Sequence, residues 1–257
     1  MNLNQFTLAE GARFLSWFFP VALERAFLLH PEGKALAVRA GNARNAKERK
    51  EEEKMEKVKV KKGWQLKDII MIGILGLIFA AIYLGAFYLS QAIGVALTPF
   101  GLAPFNFEVV YGVWFMAATL AAFILQKPGV ALVTEVLAAF LELLMGNFPL
   151  VITTGLVQGI GLELGFAVFG YKKYNLASMC VSAVFACVLS FVWTYFTNGY
   201  AAVETSMLIA MFVVRLGTSL LFAGVLSWVL GKGLARTGVL KGYAIGAKYV
   251  HQDIAED

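Results

Sequence analysis

Basic side chains occur in only every second connection between the long apolar runs that fill residues 66 to 231. Lysine is present at 127 and at 172–173, and several basic residues follow 231, whereas connections 96–106, 146–147 and 197–206 contain neither lysine nor arginine. Because basic residues are retained in the cytoplasm during membrane insertion, this alternation predicts that the three bare connections face outward. Both ends of the apolar region are then cytoplasmic.

The apolar runs have the length of membrane-spanning helices. A helix needs about 20 mostly apolar residues to cross the bilayer, and continuous rather than alternating hydrophobicity favours helices over a barrel. Hydrophobic residues make up 59% of the 257-residue chain and charged residues 15%, which is not the composition of a soluble domain. We therefore predict an all-α, polytopic protein of the cell membrane, a bundle of six transmembrane helices with cytoplasmic N and C termini. The predicted spans are about 66–96, 107–126, 129–145, 150–170, 175–197 and 206–231.

The first 62 residues do not continue this pattern. An apolar segment at 13–25 is interrupted by Pro20 and is too short to span, and residues 42–62 are almost all charged or polar. Our hypothesis is that Met55 is the natural start and that the residues before it are an upstream extension. The predicted organisation is an extension and charged linker at 1–62, a membrane domain at 63–243 and a cytoplasmic tail at 244–257.

Charge and cysteine content exclude several functions. The net charge of +5 resides at the cytoplasmic ends and in the inner loops, where it sets topology and contacts lipid headgroups, so we expect no nucleic-acid partner. Cys180 and Cys187 lie on one face of the fifth span, about 10.5 Å apart along its axis, too far for a disulfide. The sequence has no cysteine or histidine spacing typical of a metal site.

Three carboxylates fall inside predicted spans, where an acidic side chain costs roughly 2.5 to 3.5 kcal/mol. Glu135, Glu142 and Glu163 therefore require an interior or watery environment. Glu135 and Glu142 are two helical turns apart and project from the same face of the third span. We expect that face to point into the bundle.

The axial depths of the polar residues predict a shared layer. At about 1.5 Å per residue, Glu142 lies about 4 to 5 Å below the outer end of its span, and Glu135 about 15 Å below. Gln158 and Arg215 lie about 12 and 13 Å deep, and Glu163 about 20 Å. One interpretation is a structural ion pair of Arg215 with Glu135 or Glu163. Glu142 has no basic partner at its depth, which favours contact with a ligand.

Aromatic residues cluster at the same outer level. Glu108, Tyr111 and Trp114 are three residues apart at the start of the second span, on one stripe, and Trp193 is near the outer end of the fifth. Such rings are often interface belts or core filler. Together with carboxylates they suit a flat, cationic, hydrogen-bonding solute, because a cation is attracted to an aromatic face.

Small residues on the first span indicate a close helix contact. Gly76 with Ala80, and Ala81 with Gly85, have the spacing that lets two helices approach. The contact could be with a partner protein or with another helix of the same bundle, and the spacing alone leaves both open.

Several segments of the third and fourth spans and of the end of the membrane region resemble one family, over about residues 60 to 243. They are 127–132 (KPGVAL), 135–139 (EVLAA), 142–146 (ELLMG), 155–159 (GLVQG), 163–164 (EL) and 235–240 (ARTGVL). The chain is similar to the substrate-binding S components of energy-coupling factor (ECF) transporters, of the thiamine or hydroxymethylpyrimidine type called YkoE.

The resemblance implies a subunit that binds a vitamin or its precursor from outside and is not an enzyme. Transport would be driven by a transmembrane coupling protein, the T component, and by two ABC ATPases, at which ATP and Mg²⁺ would act. The chain itself has no Walker A loop. Carried over to this sequence, the predicted substrate-binding residues are Glu142, Glu135, Gln158, Trp114, Tyr111, Glu108, Glu163 and Trp193, and the predicted docking residues are Gly76, Ala80, Ala81 and Gly85. The extension before Met55 has no counterpart in the family pattern.

Two other functions remain open from the residues. A stand-alone, ion-coupled carrier would use Glu135, Glu163 and Arg215 as a proton relay, although inverted repeats are not evident. An intramembrane enzyme is disfavoured because no Ser–His pair or HExxH motif occurs in the spans. The two histidines, His30 and His251, lie outside the predicted bundle.

Overall fold

A computed structural model describes residues 63–246. The Met55 hypothesis, both histidines and the end of the predicted tail lie outside the described residues. Six helical elements follow one another in the described part: α1 (Leu66–Leu97), α2 (Tyr111–Leu125), α3 (Val130–Leu144), α4 (Leu150–Val168), α5 (Leu176–Thr197) and α6 (Thr205–Arg236).

The all-helical prediction is confirmed, and the helices begin and end close to the predicted spans. Within residues 63–246, α1, α4, α5 and α6 are long and apolar enough to cross a membrane. The helix α3 has only 15 residues, and α2 is similarly short. Six crossings and cytoplasmic termini stay predictions.

The second helix starts later than the sequence predicts. Residues 107–110 form turns instead of the predicted helix, and they follow two short 3₁₀ turns, Thr98–Phe100 and Ala103–Phe105, each with proline in its first turn. Proline fixes its own backbone angle and supplies no N–H group, so it suits the start of a turn rather than a helix interior. Glu108 consequently lies in the connection before α2 and not on the helix.

The last helix runs five residues beyond its predicted end and contains an irregular turn. Residues Leu220–Leu226 form a π-helical segment between two α-helical parts. The Ser227 hydroxyl donates to the Phe222 carbonyl at 3.1 Å. This segment widens α6 where it meets α5, and there Gly224 leaves room for the Cys180 side chain, whose sulfur would be 2.8 Å from an added Cβ.

Two glycines allow α4 and α5 to pack at very short distance. A Cβ added at Gly165 would be 2.2 Å from the Ser182 Cα, and one at Gly161 would be 2.6 Å from the Ala186 Cα. The Ser182 hydroxyl donates across the contact to the Leu162 carbonyl at 2.6 Å. Close approach through small residues is the usual means of helix association in membranes, and here it fixes the position of α4 against α5.

Polar contacts tie the start of the first helix to the end of the bundle that is predicted to be cytoplasmic. Lys127 forms an ion pair with Asp68 at 2.5 Å, and Lys67 donates to the Gly242 carbonyl at 2.5 Å. Ile245 is buried. The packed bundle therefore includes the first residues of the segment predicted as a tail.

Candidate functional site

A cavity of about 350 Å³ lies at the end of the bundle that is predicted to face outward. It is formed by the second half of α1, the connection before α2 and the start of α2, one face of α3 from its second turn onward, the connection after α3, the first half of α4 and the end of α5. Its lining combines aromatic rings with carboxylate, amide and hydroxyl groups: Tyr83, Phe87, Gln91, Phe107, Tyr111, Trp114, Glu135, Ala139, Glu142, Asn147, Phe148, Leu150, Val151, Thr154, Gln158, Thr194 and Asn198.

Glu135 is held by a tyrosine of the neighbouring helix. The Tyr83 hydroxyl donates to Glu135 Oε2 at 3.1 Å and accepts from the Ala117 amide at 3.1 Å. Ala117 is in α2, just after its 3₁₀ first part ends. The other carboxylate oxygen, Oε1, is buried and has no hydrogen-bond partner among the described residues.

Glu142, two helical turns further along α3, likewise has only one of its two carboxylate oxygens hydrogen-bonded. Its Oε1 accepts from the Asn147 side-chain amide at 2.6 Å and, more weakly, from the Trp114 indole at 3.4 Å. Its Oε2 is buried, and within residues 63–246 it has no hydrogen-bond partner. The predicted common face of α3 therefore presents two carboxylates to one cavity, each with a free oxygen.

Aromatic side chains form a continuous wall around these carboxylates. The Trp114 ring lies 6.0 Å from Tyr111, 6.3 Å from Tyr83 and 6.3 Å from Phe107, measured between ring centres. Phe87 contacts both Phe107 and Phe148 at about 6 Å. Such separations are typical of tilted and edge-to-face aromatic pairs, so the wall is pre-formed.

Gln158 and Tyr111 complete the polar part of the lining. The Gln158 amide donates to the Tyr111 hydroxyl at 3.2 Å, in a buried contact. The Tyr111 ring in turn lies against the guanidinium of Arg215, at 3.7 Å from ring centre to carbon. Five of the eight predicted substrate-binding residues thus line the cavity: Glu142, Glu135, Gln158, Trp114 and Tyr111.

The predicted ion pair of Arg215 with Glu135 or Glu163 is wrong, because Arg215 pairs with Glu108 instead. Its Nε and Nη2 groups both donate to the Glu108 carboxylate, the second at 2.7 Å, and neither Glu135 nor Glu163 is involved. Arg215 and Glu108 are fully buried, and Glu108 does not line the cavity. Depth along a straight helix could not anticipate this pair, because Glu108 reaches Arg215 from a folded connection.

Two hydroxyls complete the ion pair. Tyr200 donates to Glu108 Oε1 at 2.5 Å, and burial, reinforced by the nearby carboxylate, raises the pKa of the Tyr200 phenol, so it remains a donor. Arg215 Nη1 donates to Thr194 Oγ1 at 3.0 Å. Thr194 lines the cavity, so the pair supports the cavity wall through both Thr194 and Tyr111.

Glu163 and Trp193 also lie outside the cavity lining. The Glu163 carboxylate accepts from the backbone amides of Gly129 at 2.6 Å and Leu132 at 3.3 Å. Gly129 immediately precedes α3 and Leu132 is in its first turn, so Glu163 caps that helix and complements its positive end. Trp193 donates to the Thr154 hydroxyl at 3.1 Å and thereby fixes a residue of the lining from behind.

These contacts separate the three groups of the predicted proton relay. Glu135 bonds to Tyr83, Glu163 caps α3 and Arg215 pairs with Glu108. In the described part of the chain, no hydrogen bond joins any two of them.

The predicted docking residues divide between two sides of α1. Ala80 is fully buried, and a Cβ at Gly76 would be 3.3 Å from Leu137 of α3. These two residues pack inside the bundle, so a partner cannot reach them. Ala81 and Gly85 are exposed, and a Cβ at Gly85 would have no neighbour within 4 Å.

Several lining residues were not among the predicted site residues. Asn147 follows the last turn of α3, and its backbone amide also bonds to the Glu142 carbonyl at 3.2 Å. Four further missed residues are aromatic: Tyr83 and Phe87 on α1, and Phe107 and Phe148 in the connections before α2 and after α3. The signal that could have found Asn147 is an amide side chain directly after the helix-ending Gly146, in a connection predicted to face outward.

Comparisons with known proteins agree on the kind of molecule. Residues 67–189 match the family described as "ABC-type cobalt transport system, permease component". The chain is 37% identical over 187 residues to the "Putative HMP/thiamine permease protein YkoE" of Bacillus subtilis (strain 168), covering 72% of this chain and 92% of that protein. A solved structure, described as the crystal structure of an S-component of an ECF transporter, matches with a TM-score of 0.70 and 36% identity, over 76% of this chain and 97% of that one.

The cobalt in the first description has no counterpart in the observed geometry. Within residues 63–246, no three histidine, cysteine, aspartate or glutamate side chains come together as a metal site requires. The cavity lining has two carboxylates and neither an imidazole nor a thiolate. Imidazole and thiolate groups are the usual ligands of many transition-metal ions in proteins.

Proposed function

Because the chain belongs to the YkoE family of ECF-transporter S components, whose members are transporter subunits and not enzymes, we propose that it captures hydroxymethylpyrimidine or thiamine. The ligand enters the outer cavity from outside the cell, and the protein lies in the cytoplasmic membrane. The partners are a T component and two ABC ATPases, which bind ATP and Mg²⁺ and supply the energy.

The observation that carries this proposal is a pair of buried carboxylates, each with only one of its two oxygens hydrogen-bonded. Glu135 and Glu142 line one cavity, and each has a buried oxygen without a partner among the described residues. An unmatched buried acceptor is costly, by about 1 to 3 kcal/mol and more when charged. A ligand that brings a cation or amine N–H groups removes that cost, so the cavity selects for such ligands.

The aromatic wall favours a flat ring over a sugar or an aliphatic amine. Trp114, Tyr111 and Phe107 present ring surfaces beside the carboxylates. An aminopyrimidine can lie against such a surface while its amine donates to a carboxylate. The thiazolium ring of thiamine adds a positive charge, and aromatic faces attract a cation by roughly 0.5 to 2 kcal/mol.

The dimensions of the cavity also suit a vitamin. A volume of about 350 Å³ is near the lower end of the range of roughly 300 to 1,000 Å³ found for small-molecule sites. It accommodates one small heterocyclic molecule and not a peptide or a folded partner.

For the coupling protein, the exposed side of α1 is the docking surface that we propose. Ala81 and Gly85 are one turn apart on that side, among exposed apolar side chains such as Leu77 and Ile78. Small residues at this spacing let a second helix approach closely. Gly73, which is half-buried and has open space beside it, extends the surface toward the inner end of α1.

The proposal is tested by identifying the molecule that the protein carries. Protein purified in mild detergent from cells grown with thiamine is denatured, and the released small molecules are analysed by mass spectrometry. We expect hydroxymethylpyrimidine or thiamine in an amount close to that of the protein. Release of an unrelated solute, or binding of neither compound when both are added back, contradicts the proposal.

A further inference from the structure

The lining of the outer cavity is acidic, which restricts the charge of the molecules that it can hold. Glu135 and Glu142 are both fully buried there. Every side chain that hydrogen-bonds to them is also part of the lining, namely Tyr83, Trp114 and Asn147. The two carboxylates therefore face the cavity and not another part of the bundle. Among the described residues, no lysine, arginine or histidine lines it.

Arg215, the cation that lies behind this wall, is not available to a ligand. Its side chain is fully buried. Its Nε and Nη2 groups donate to Glu108, and Nη1 donates to Thr194. Tyr111, which packs on the guanidinium, and Thr194 line the cavity, whereas Arg215 does not. A phosphate group in the cavity would therefore meet neutral side chains instead of this charge.

The connections that border the cavity supply no positive charge either. Asn147 and Asn198 of the lining belong to the connections 146–147 and 197–206, and neither connection contains lysine or arginine. The second contains the exposed carboxylate of Glu204. An anionic group that protrudes from the cavity therefore finds no counter-charge in these connections.

The start of α4 reaches the cavity through Leu150 and Val151, and helix starts can bind anions with their free amides. Here the Val151 amide donates to the Phe148 carbonyl at 3.0 Å. The Ile152 amide donates to the Pro149 carbonyl at 3.3 Å. Two amides of the first turn are thus already used within the chain, which weakens this helix start as an anion site.

On the basis of the proposed function, we propose that the outer cavity discriminates against phosphate esters and captures the pyrimidine or the vitamin with its hydroxyl group unphosphorylated. A phosphate monoester carries about 1.5 to 2 negative charges at pH 7. Proteins bind such groups with arginine, lysine or helix starts, which the described lining lacks or has already used. In hydroxymethylpyrimidine the amine and the hydroxymethyl group are on adjacent ring carbons. A carboxylate that accepts from the amine therefore lies beside the ester phosphate, and the like charges repel.

Glu142 is the residue that sets this discrimination. It is in the last turn of α3 and bonds to Asn147 of the connection that follows, whereas Glu135 is two helical turns further from that end. Its Oε2 has no hydrogen-bond partner among the described residues. A phosphate ester that enters from the predicted outer end consequently meets the charge of Glu142 before that of Glu135.

The test is titration calorimetry on full-length, ligand-free protein with hydroxymethylpyrimidine, its phosphate monoester and its acetate ester. The acetate ester is neutral and similar in size to the phosphate ester, so it separates charge from bulk. The variants are Glu142→Gln and Gln91→Lys, the second of which places a cation at an exposed residue of the lining. Glu204→Gln, at an exposed acidic residue outside the lining, is the matched control. Thermal unfolding in the same detergent checks that each variant is folded.

We expect the wild type and Glu204→Gln to bind the free compound and its acetate ester. They should bind the phosphate ester at least about hundredfold more weakly than the acetate ester, a factor that like charges a few ångströms apart readily reach. Glu142→Gln should reduce this ratio about tenfold, because one of the two carboxylate charges is removed. Gln91→Lys should strengthen binding of the phosphate ester about threefold, the effect of one exposed ion pair.

Binding of the phosphate ester as tightly as the acetate ester overturns the proposal. Equally weak binding of both esters also overturns it, because the discrimination is then one of size. An unchanged ratio of the two esters in Glu142→Gln removes Glu142 as the discriminating residue. If that variant does not fold, an unchanged ratio in Gln91→Lys overturns the proposal instead. Wild-type protein that does not bind the free compound is a separate failure, because it contradicts the proposed function itself.

Discussion

The guanidinium carbon of Arg215 lies 3.7 Å from the centre of the Tyr111 ring, while its nitrogens pair with Glu108. Tyr111 is part of the outer cavity, and Glu108 is not. The ion pair is therefore a buried support that connects α6 and the connection before α2 to the wall of the site. It shapes the site without offering a charge to the ligand.

Breaking this pair on one side should be strongly destabilising. Arg215→Met leaves the Glu108 carboxylate buried without a counter-charge, and such changes cost about 3 to 5 kcal/mol. The double variant Glu108→Met with Arg215→Met should recover a large part of this loss, because no buried charge remains. The measurement is denaturant unfolding in detergent micelles, followed by tryptophan fluorescence. Equal stability of the wild type and Arg215→Met, or no recovery in the double variant, contradicts the assigned role.

The contact between α4 and α5 should not tolerate a methyl group at Gly165. Its Cβ would be 2.2 Å from the Ser182 Cα, so Gly165→Ala requires the helices to separate, at a cost of about 1 to 3 kcal/mol. Gly73→Ala is the matched control, since an added Cβ there has no neighbour within 4 Å. Both are compared by thermal unfolding in the same detergent. If Gly165→Ala melts at the temperature of the control, the close packing is not as described.

Assembly of the transporter should depend on the exposed side of α1. Ala81→Trp adds bulk on the proposed docking surface, which prevents close helix approach, and Ala81 does not line the cavity. We expect loss of copurified T component and ATPases with unchanged vitamin affinity. Val213→Trp, at a 59% exposed position of α6, controls for bulk on a lipid-facing surface. Normal yield of the partners with Ala81→Trp excludes this docking surface.

The sequence predicts the helices well because their positions depend on patterns along the chain alone. Continuous apolar runs and the alternation of Lys127, Lys172 and Lys173 with bare connections give the helix positions. The seven-residue spacing of Glu135 and Glu142 gives their common inward face, and both line the cavity in the structure. These inferences need only helix periodicity and the cost of burying a carboxylate.

The pairing of polar groups could not be obtained in the same way. Axial depth places Glu135, Glu163 and Arg215 in neighbouring layers, but it does not give the rotation of each helix about its own axis. Glu163 turns to the start of α3 and caps it. Arg215 meets a carboxylate from a proline-containing connection that no helical period describes.

Small residues on α1 illustrate a second limit of sequence patterns. Gly76 with Ala80, and Ala81 with Gly85, have identical spacing, yet the first pair packs against the bundle and the second is exposed. Spacing predicts that a helix can approach closely, and the position of α3 beside Gly76 decides which helix it is.

Titration calorimetry of thiamine and hydroxymethylpyrimidine into ligand-free protein, with Glu142→Gln beside the wild type, tests the central claim most directly. Glutamine keeps the size of the side chain and removes the charge, so we expect at least about tenfold weaker binding, or about 1.4 kcal/mol. Glu204→Gln, at an exposed acidic residue outside the cavity, should bind like the wild type. Wild-type protein that binds neither compound, or Glu142→Gln with unchanged affinity, would contradict capture of the vitamin by this carboxylate.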